Sequence, residues 1–308
     1  MFPAPFDYRR ASSVEDAVAA LAAESDRDVR VLAGGHGLLP AMKAGDLAPD
    51  VLVDVDDCAS LRGIDTTSTE PDDGLAIGAL TTHAALAESE TVAAVAPALG
   101  EAARAVGDVQ IRARGTIAGN LVEADPGADL PAAIVAADAT IQIRGPDGER
   151  EVAPREFFAG DGETALGADE LVTEIRVPGH DTGAYEKRTH PARGFAMVGV
   201  AATLDVEDGT IGAIGIGAVG VTDRPVRLTS VEEELAGVAV DDLEVTAEAT
   251  DGETTLERAA ARATDDIEPA RLHGDHYASG SFRAEILAPH VERAVANAVQ
   301  RGTGGDRA

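Results

Sequence analysis

The stretch "AGGHGLLP" (residues 33–40) follows directly on "VRVLA" (29–33), and a second glycine-rich stretch, "GTIAGN", occupies residues 115–120. How these two are read decides the fold. Glycine has no Cβ, so it can take positive φ, turn consecutive N–H groups inward and let a ligand approach the main chain closely. An anion fits such a cradle. In the first stretch Gly34, Gly35 and Gly37 stand between a buried-strand pattern and a predicted short helix, "LLPAMKAG", so freed amides and the positive helix end would face one point. In the second, Thr116 offers a hydroxyl, Gly119 a permissive backbone and Asn120 a side-chain amide. Either stretch alone is better read as an ordinary tight turn. The expectation set by the pair is that both loops hold the same diphosphate.

Outward from the first loop, "SSVEDAVAALAAES" has Ser12 three residues ahead of Glu15, a capping-box spacing, and apolar positions at helical intervals. "DVLVDV" and "GLAIGAL" (74–80) read as strands. "TTHAALAES" and a long helix over "VAAVAPALGEAARAV" follow, and "GDVQIRARGTIAGN" reads as an irregular turn because of its glycines and β-branched residues. "ADLPAAIVAAD" reads as helix, and "ATIQIRGPDGEREVA" as a hairpin closed by Pro146, Asp147 and Gly148. Proline and glycine cluster in "VPGHDTG" (177–183), a boundary signal. Beyond it come a strand, an Asp-Gly turn and a second strand in "AMVGVAATLDVEDGTIGAIGIGAVG". The helices "TSVEEELAG", "TLERAAARA" and "SFRAEILAPHVERAVANAVQR" complete a separate α+β domain, and the tail "GTGGDRA" is expected to fray.

Bulk composition narrows the function. Length 308 is enough for two domains, and the single cysteine, Cys58, excludes an iron–sulfur cluster or thiolate zinc site built from this chain alone. It lies in the polar segment "DDCAS" and reads as incidental. The net charge of −30 repels phosphate backbones and anionic membrane surfaces, so neither nucleic acid nor a membrane is an expected partner. Its acidic residues are scattered, as suits a surface adapted to concentrated salt, where the screening length at 1 M is about 3 Å. With no basic n-region and no apolar run of the roughly 20 residues that cross a bilayer, a soluble cytoplasmic protein of a halophile is expected.

Other motifs give less. "GIGAVG" (215–220) matches G-x-G-x-x-G, but Pro225 interrupts any helix that should follow it, so it reads as a glycine-rich strand. There is neither a P-loop nor a G-x-S-x-G elbow. His273 and His276 in "HGDH" lack a third obvious metal ligand. His36 and His83 fall in turns beside the two loops. Lys43 and Lys187, the only lysines against a background of arginine, are candidates for a contact that a compact point charge makes best.

In this order and spacing the segments resemble the flavin subunits of the molybdenum hydroxylases, of the carbon monoxide dehydrogenase and xanthine dehydrogenase kind. The likeness runs through "FDYRRASSVEDAVAAL", "LAGGHGLLPAMK", "IGALTTHAAL", "GDVQIRARGTIAGNLVEADPGADLPAA", "YEKRTHPARGFAMVGVAA", "TDRPVRLTSVEEELAG" and "LHGDHYASGSFRAEILAPHVERAV". It implies an α+β architecture: a two-subdomain FAD-binding domain of the vanillyl-alcohol-oxidase type (1–178, subdomains about 1–60 and 61–178). A smaller C-terminal domain of antiparallel sheet plus helices (184–301) would follow.

By position, the resemblance implies non-covalent FAD whose diphosphate takes backbone donors from Ala33, Gly34, Gly35, His36, Gly37 and Leu38 and from Thr116, Ile117, Ala118, Gly119 and Asn120. Thr82 and His83 belong to the middle turn and Asp125 to the second loop. Asp129 would sit by the ribityl chain or ring edge, Lys187 near the isoalloxazine, Phe195 beside the ring, and Val172 where backbone meets the ring. Two positions depart from the pattern: Gly37 stands where the family usually has serine, and Ala118 where it usually has glycine. The latter would weaken flavin binding if its φ had to be positive.

The implied role is electron transfer from partner subunits, a small one with iron–sulfur clusters and a large one with molybdopterin, through FAD to an external acceptor. A dimer of heterotrimers is the implied assembly. The alternatives are a self-sufficient flavin oxidase, disfavoured by an aromatic content of 3%, and a flavin-free interaction protein.

Overall fold

The strands Asp7–Arg10, Val51–Asp54 and Val29–Leu32 form a parallel sheet with Val51–Asp54 in the middle. In this computed structural model, which describes residues 2–24, 26–69, 72–190, 194–243 and 253–304, that central strand is buried along Val51, Leu52 and Val53. A run of three apolar residues suits a parallel strand covered on both faces. The helix Val14–Ala23 starts one residue later than the expected capping box. Ser13, not Ser12, accepts from the Asp16 N–H, and the Asp16 carboxylate accepts from the Ser12 N–H. The cap works with aspartate at the third helical position in the place expected for Glu15. Cys58, read as part of a polar loop, is instead fully buried in the core, its Sγ toward the Ala11 carbonyl at 3.7 Å.

A five-stranded antiparallel sheet follows, in the order Ile64–Thr69, Asp72–Gly78, Leu171–Pro178, Thr140–Gly145, Gly148–Val152. Its hairpin pairs Gly145 with Gly148 across Pro146 and Asp147, as expected. The expected long helix is two, Glu90–Val95 and Pro97–Ala105. Proline has no N–H to continue the ladder and pushes the residue before it out of helical geometry, and Ala96 sits at φ −138°, ψ 64°.

The expected irregular turn is corrected as well: it is two short helices, Val109–Arg114 and Ile117–Glu123, hinged at Gly115. Each has its own cap. The Asp108 carboxylate accepts from the Ile111 N–H (2.9 Å) and the Thr116 hydroxyl accepts from the Gly119 N–H (3.2 Å). Gly119 is therefore inside a helix and marks no break. "VQIRAR" lacked a continuous apolar face, and its helix forms through the cap and the packing around it.

The third sheet, antiparallel, runs Thr182–Thr189, Ala196–Glu207, Thr210–Val219, Val226–Arg227. Its central hairpin turns at Asp208 and Gly209, with φ of 49° and 77°, the pair of positive values that a two-residue hairpin loop matched to strand twist requires. "GIGAVG" is part of its second strand, as expected. Here the glycines have a packing reason: a Cβ on Gly215 would collide with the Ala136 carbonyl, and one on Gly217 with the Ala132 carbonyl. The helix Leu130–Ala136, every residue of it buried, thus lies directly on the sheet.

The side chain of Arg227 donates to the Val135 carbonyl (3.1 Å) and the N–H of Gly220 to the Pro126 carbonyl (2.7 Å), fastening the same seam. The last predicted helix is divided into Gly280–Glu285 and Leu287–Gly304. Gly302–Gly304 of the tail continue that helix, and 305–308 lie outside the described residues. Among the described residues no helix is long and apolar enough to cross a membrane.

Candidate functional site

The two glycine loops meet. A Cβ placed on Gly34 would run into the carbonyl oxygen of Arg114 and lie 3.0 Å from the Cα of Gly115, so the first loop rests main chain on main chain against the residues that open the second. Only glycine permits that approach. Around this contact lies a cleft in two chambers. One, of about 590 Å³, is walled by Val29, Val31, Leu47, Leu166 and Val172; the other, about 200 Å³, by His83, Asn120, Asp129 and Phe195. Gly34, Gly35, Gly119 and Glu123 border both, so the loops form the neck between them.

The donors are distributed unequally. Among the described residues, no acceptor engages the main-chain N–H groups of Gly34, Gly35, His36, Gly37 or Leu38. Gly35 is in the left-handed region, φ 75°, which turns its neighbours' amides together. In the second loop four of the five amides are already committed: Ile117 donates to the Thr81 carbonyl (2.9 Å), Ala118 to Ala79 (3.1 Å), Asn120 to Thr116 (3.0 Å), and Gly119 to its cap, while among the described residues no acceptor engages that of Thr116. The first loop holds the ready amides, and the second offers the Thr116 hydroxyl and the side chain of Asn120, whose buried Oδ1 has no partner among the described residues. This set suits a diphosphate passing through the neck.

The other expected residues sort by chamber. Ala33, Gly37, Leu38, Ala118 and Val172 face the larger one, while His36, His83, Thr116, Asn120, Asp129 and Phe195 face the smaller. Val172 and Phe195 border different chambers. Ile117 is fully buried in the core, and Thr82 caps the helix His83–Glu88 and pairs with Thr116 in an antiparallel bridge. The Asp125 carboxylate accepts from the Gly127 N–H (2.8 Å), shaping the turn that follows the second loop.

His83 is 3% exposed, Gly115 packs on its ring and its Nδ1 has no partner among the described residues. Burial first, then the charges of His36 and Arg112, lowers its pKa to about 4, so it is a neutral imidazole.

Behind the smaller chamber lies a buried ionic cluster. Lys187 Nζ donates to Asp129 Oδ2 (2.8 Å), the Gly194 carbonyl (2.6 Å) and the Ala105 carbonyl (3.1 Å). An ammonium has three donors, and all three are used. Lys187 thus holds Asp129 and Gly194, the residue before Phe195, in place. Tyr185, which donates to Asp129 Oδ1 (2.6 Å), was missed from the sequence, although two residues apart on one strand places Tyr185 and Lys187 on the same face. Burial raises the Asp129 pKa to about 6 against the opposing pull of Lys187 and Tyr185.

Both departures are accommodated. Ala118 lies in the helix Ile117–Glu123 and is absent from the positive-φ positions, so its methyl is unstrained. Gly37 has φ −90°, ψ −56°, which any residue can adopt; what it makes room for is a side chain, since a Cβ there would overlap the Glu123 carboxylate. Glu123 was also missed. It lies four residues after Gly119, one helical turn on and on the same face, a relation hidden by reading the segment as an irregular turn.

Residues 4–180 match the family described as FAD binding domain in molybdopterin dehydrogenase, and residues 183–298 the CO dehydrogenase flavoprotein C-terminal domain. The chain is 35% identical to the carbon monoxide dehydrogenase medium chain of Afipia carboxidovorans, over 98% of its own length and 99% of the relative's. It is 32% identical to the glyceraldehyde dehydrogenase medium chain of Sulfolobus acidocaldarius, over 93% and 96%. A chain of reconstituted CO dehydrogenase from Oligotropha carboxidovorans superposes with a TM-score of 0.86 at 34% identity, covering 98% of this chain and 100% of that one. A neck of two glycine loops with ready amides, set between two chambers, suits a dinucleotide, and this chain belongs to the family of FAD-binding subunits of molybdopterin dehydrogenases.

Proposed function

We propose that this chain is the FAD-carrying electron-transfer subunit of a heteromeric molybdenum hydroxylase, receiving electrons from iron–sulfur clusters of a small subunit and passing them to an external acceptor. The observation that carries the reading is the neck: the unpartnered amides of Gly34 to Leu38 lie where two chambers meet, with Thr116 and Asn120 opposite. In this arrangement the amides of Gly34 to Leu38, with Thr116 and Asn120, would hold the diphosphate, and the side chains lining the two chambers would hold the rest of the dinucleotide. FAD, when bound, supplies a carrier for one or two electrons.

The chain's own residues do the rest. The first loop would neutralise the diphosphate, neutral His83 closes one wall without adding charge, and Asp129, held by Lys187 and Tyr185, presents a fixed carboxylate to the smaller chamber. Medium chains of carbon monoxide and glyceraldehyde dehydrogenases, the beta subunit of a caffeine dehydrogenase and a putative FAD-binding subunit of xanthine dehydrogenase are relatives, which supports a small iron–sulfur subunit and a large molybdopterin subunit as partners.

The reading extends to a division into residues 1–178 and 184–301, a dimer of heterotrimers, and the cytoplasm of a halophile, the last supported by the net charge of −30. Purification in molar salt followed by an absorption spectrum tests the core of it. Flavin bands from stoichiometric FAD are expected, and a colourless protein that takes up no FAD refutes it. Pull-down from native extract is expected to bring molybdenum- and iron-bearing companions.

A further inference from the structure

Glu123 ends the helix that opens at Thr116, and its carboxylate lies against the loop of ready amides. A Cβ on Gly37 would overlap Oε1 and lie 2.5 Å from Oε2. The side chain borders both chambers, at the neck. No hydrogen bond among the described residues ties it down, and desolvation at the neck, followed by the charge of Asp125, raises its pKa although the residue as a whole is exposed to solvent. A carboxylate and a phosphate oxygen are interchangeable as acceptors for main-chain amides.

Resting on the FAD reading above, we propose that Glu123 is a further determinant of the dinucleotide site: an internal anion that competes with the diphosphate for the seat beside Gly37. It is the glycine at position 37 that makes the competition possible. Binding then requires the Glu123 side chain to swing out of the neck, and the retained affinity is lower than the cradle alone would give. In a chain this acidic, concentrated salt would ease the displacement by screening the two negative groups as they pass.

The experiment is a double-mutant cycle on the full-length chain, stripped of flavin and titrated with FAD, with flavin fluorescence as the readout. Glu123→Gln is expected to bind FAD about tenfold more tightly than the wild type, equivalent to about 1.4 kcal/mol. Gly37→Ala, compatible with the local φ of −90°, forces the carboxylate out of the seat and is expected to tighten binding in the wild-type background but not in Glu123→Gln. Equal or weaker binding by Glu123→Gln, or additive effects of the two changes, overturns the proposal while leaving the flavoprotein reading intact. Failure of all four chains to bind FAD overturns both.

Discussion

Replacing Lys187 with methionine tests the buried cluster most directly. The side chains of Lys187 and Asp129 are 7% and 3% exposed, so neither is rescued by water when the other is removed. In the wild type the folded pKa of Asp129, about 6, lies above its ordinary 3.8, because burial favours the neutral acid. The sign follows from that order. The stabilisation from the neutral form is full below about pH 4 and is lost as pH rises through 6.

Without the ammonium, the opposing pull disappears and the folded pKa rises further, so the variant goes on losing stability where the wild type has levelled off. Above pH 6 the gap between them therefore widens by about 1.4 kcal/mol per pH unit, or about 3 kcal/mol by pH 8. That sits in the range of about 3–5 kcal/mol for breaking one half of a buried ion pair. Urea unfolding of both chains in molar salt at pH 5.5 and pH 8 measures it. A gap that is the same at both pH values, or below about 1 kcal/mol at pH 8, refutes the assignment of Lys187 as the counter-charge of Asp129.

Three other changes have clear expectations. Gly34→Ala drives a Cβ into the Arg114 carbonyl, so thermal unfolding should show a loss of about 1–3 kcal/mol, and equilibrium dialysis a loss of FAD. Ala118→Gly, which would restore the residue usual in the family, should destabilise by up to about 1 kcal/mol, because Ala118 is helical, and leave FAD affinity unchanged; tighter binding would show that its methyl obstructs the site. Thr116→Ala removes the cap on the Gly119 N–H, with an expected cost of about 1 kcal/mol in denaturant unfolding and a reduced FAD affinity, since the hydroxyl faces the neck.

Much of this was legible in the order of residues. The first loop could be read because a buried strand, three glycines and a helix start are each local signals, and local signals do not depend on what packs around them. The hairpin at Pro146 and Asp147 and the Asp-Gly turn were visible for the same reason. The second loop could be located but not shaped. Its helices owe their existence to caps at Asp108 and Thr116 and to packing, while a glycine count argues for a turn.

That single misreading hid Glu123 and gave the second loop amides it had already used. Lys187 was noticed because lysine is rare here, yet its saturation by three acceptors comes from Ala105, Asp129 and Gly194, which strands and helices far apart in sequence bring together. The burial of Cys58 was likewise invisible, since its neighbours in sequence are polar and its neighbours in space are not.

The bare faces of Gly215 and Gly217 have a consequence for anyone who would recombine these proteins. The helix that begins beside Asp129 uses the C-terminal sheet as its floor, and at those two points the glycines put no side chain of their own against it. A graft that exchanged the C-terminal half for one with alanine or valine there would lift that helix and move the carboxylate with it. The two halves can therefore be traded between relatives only together with the glycines that let them touch.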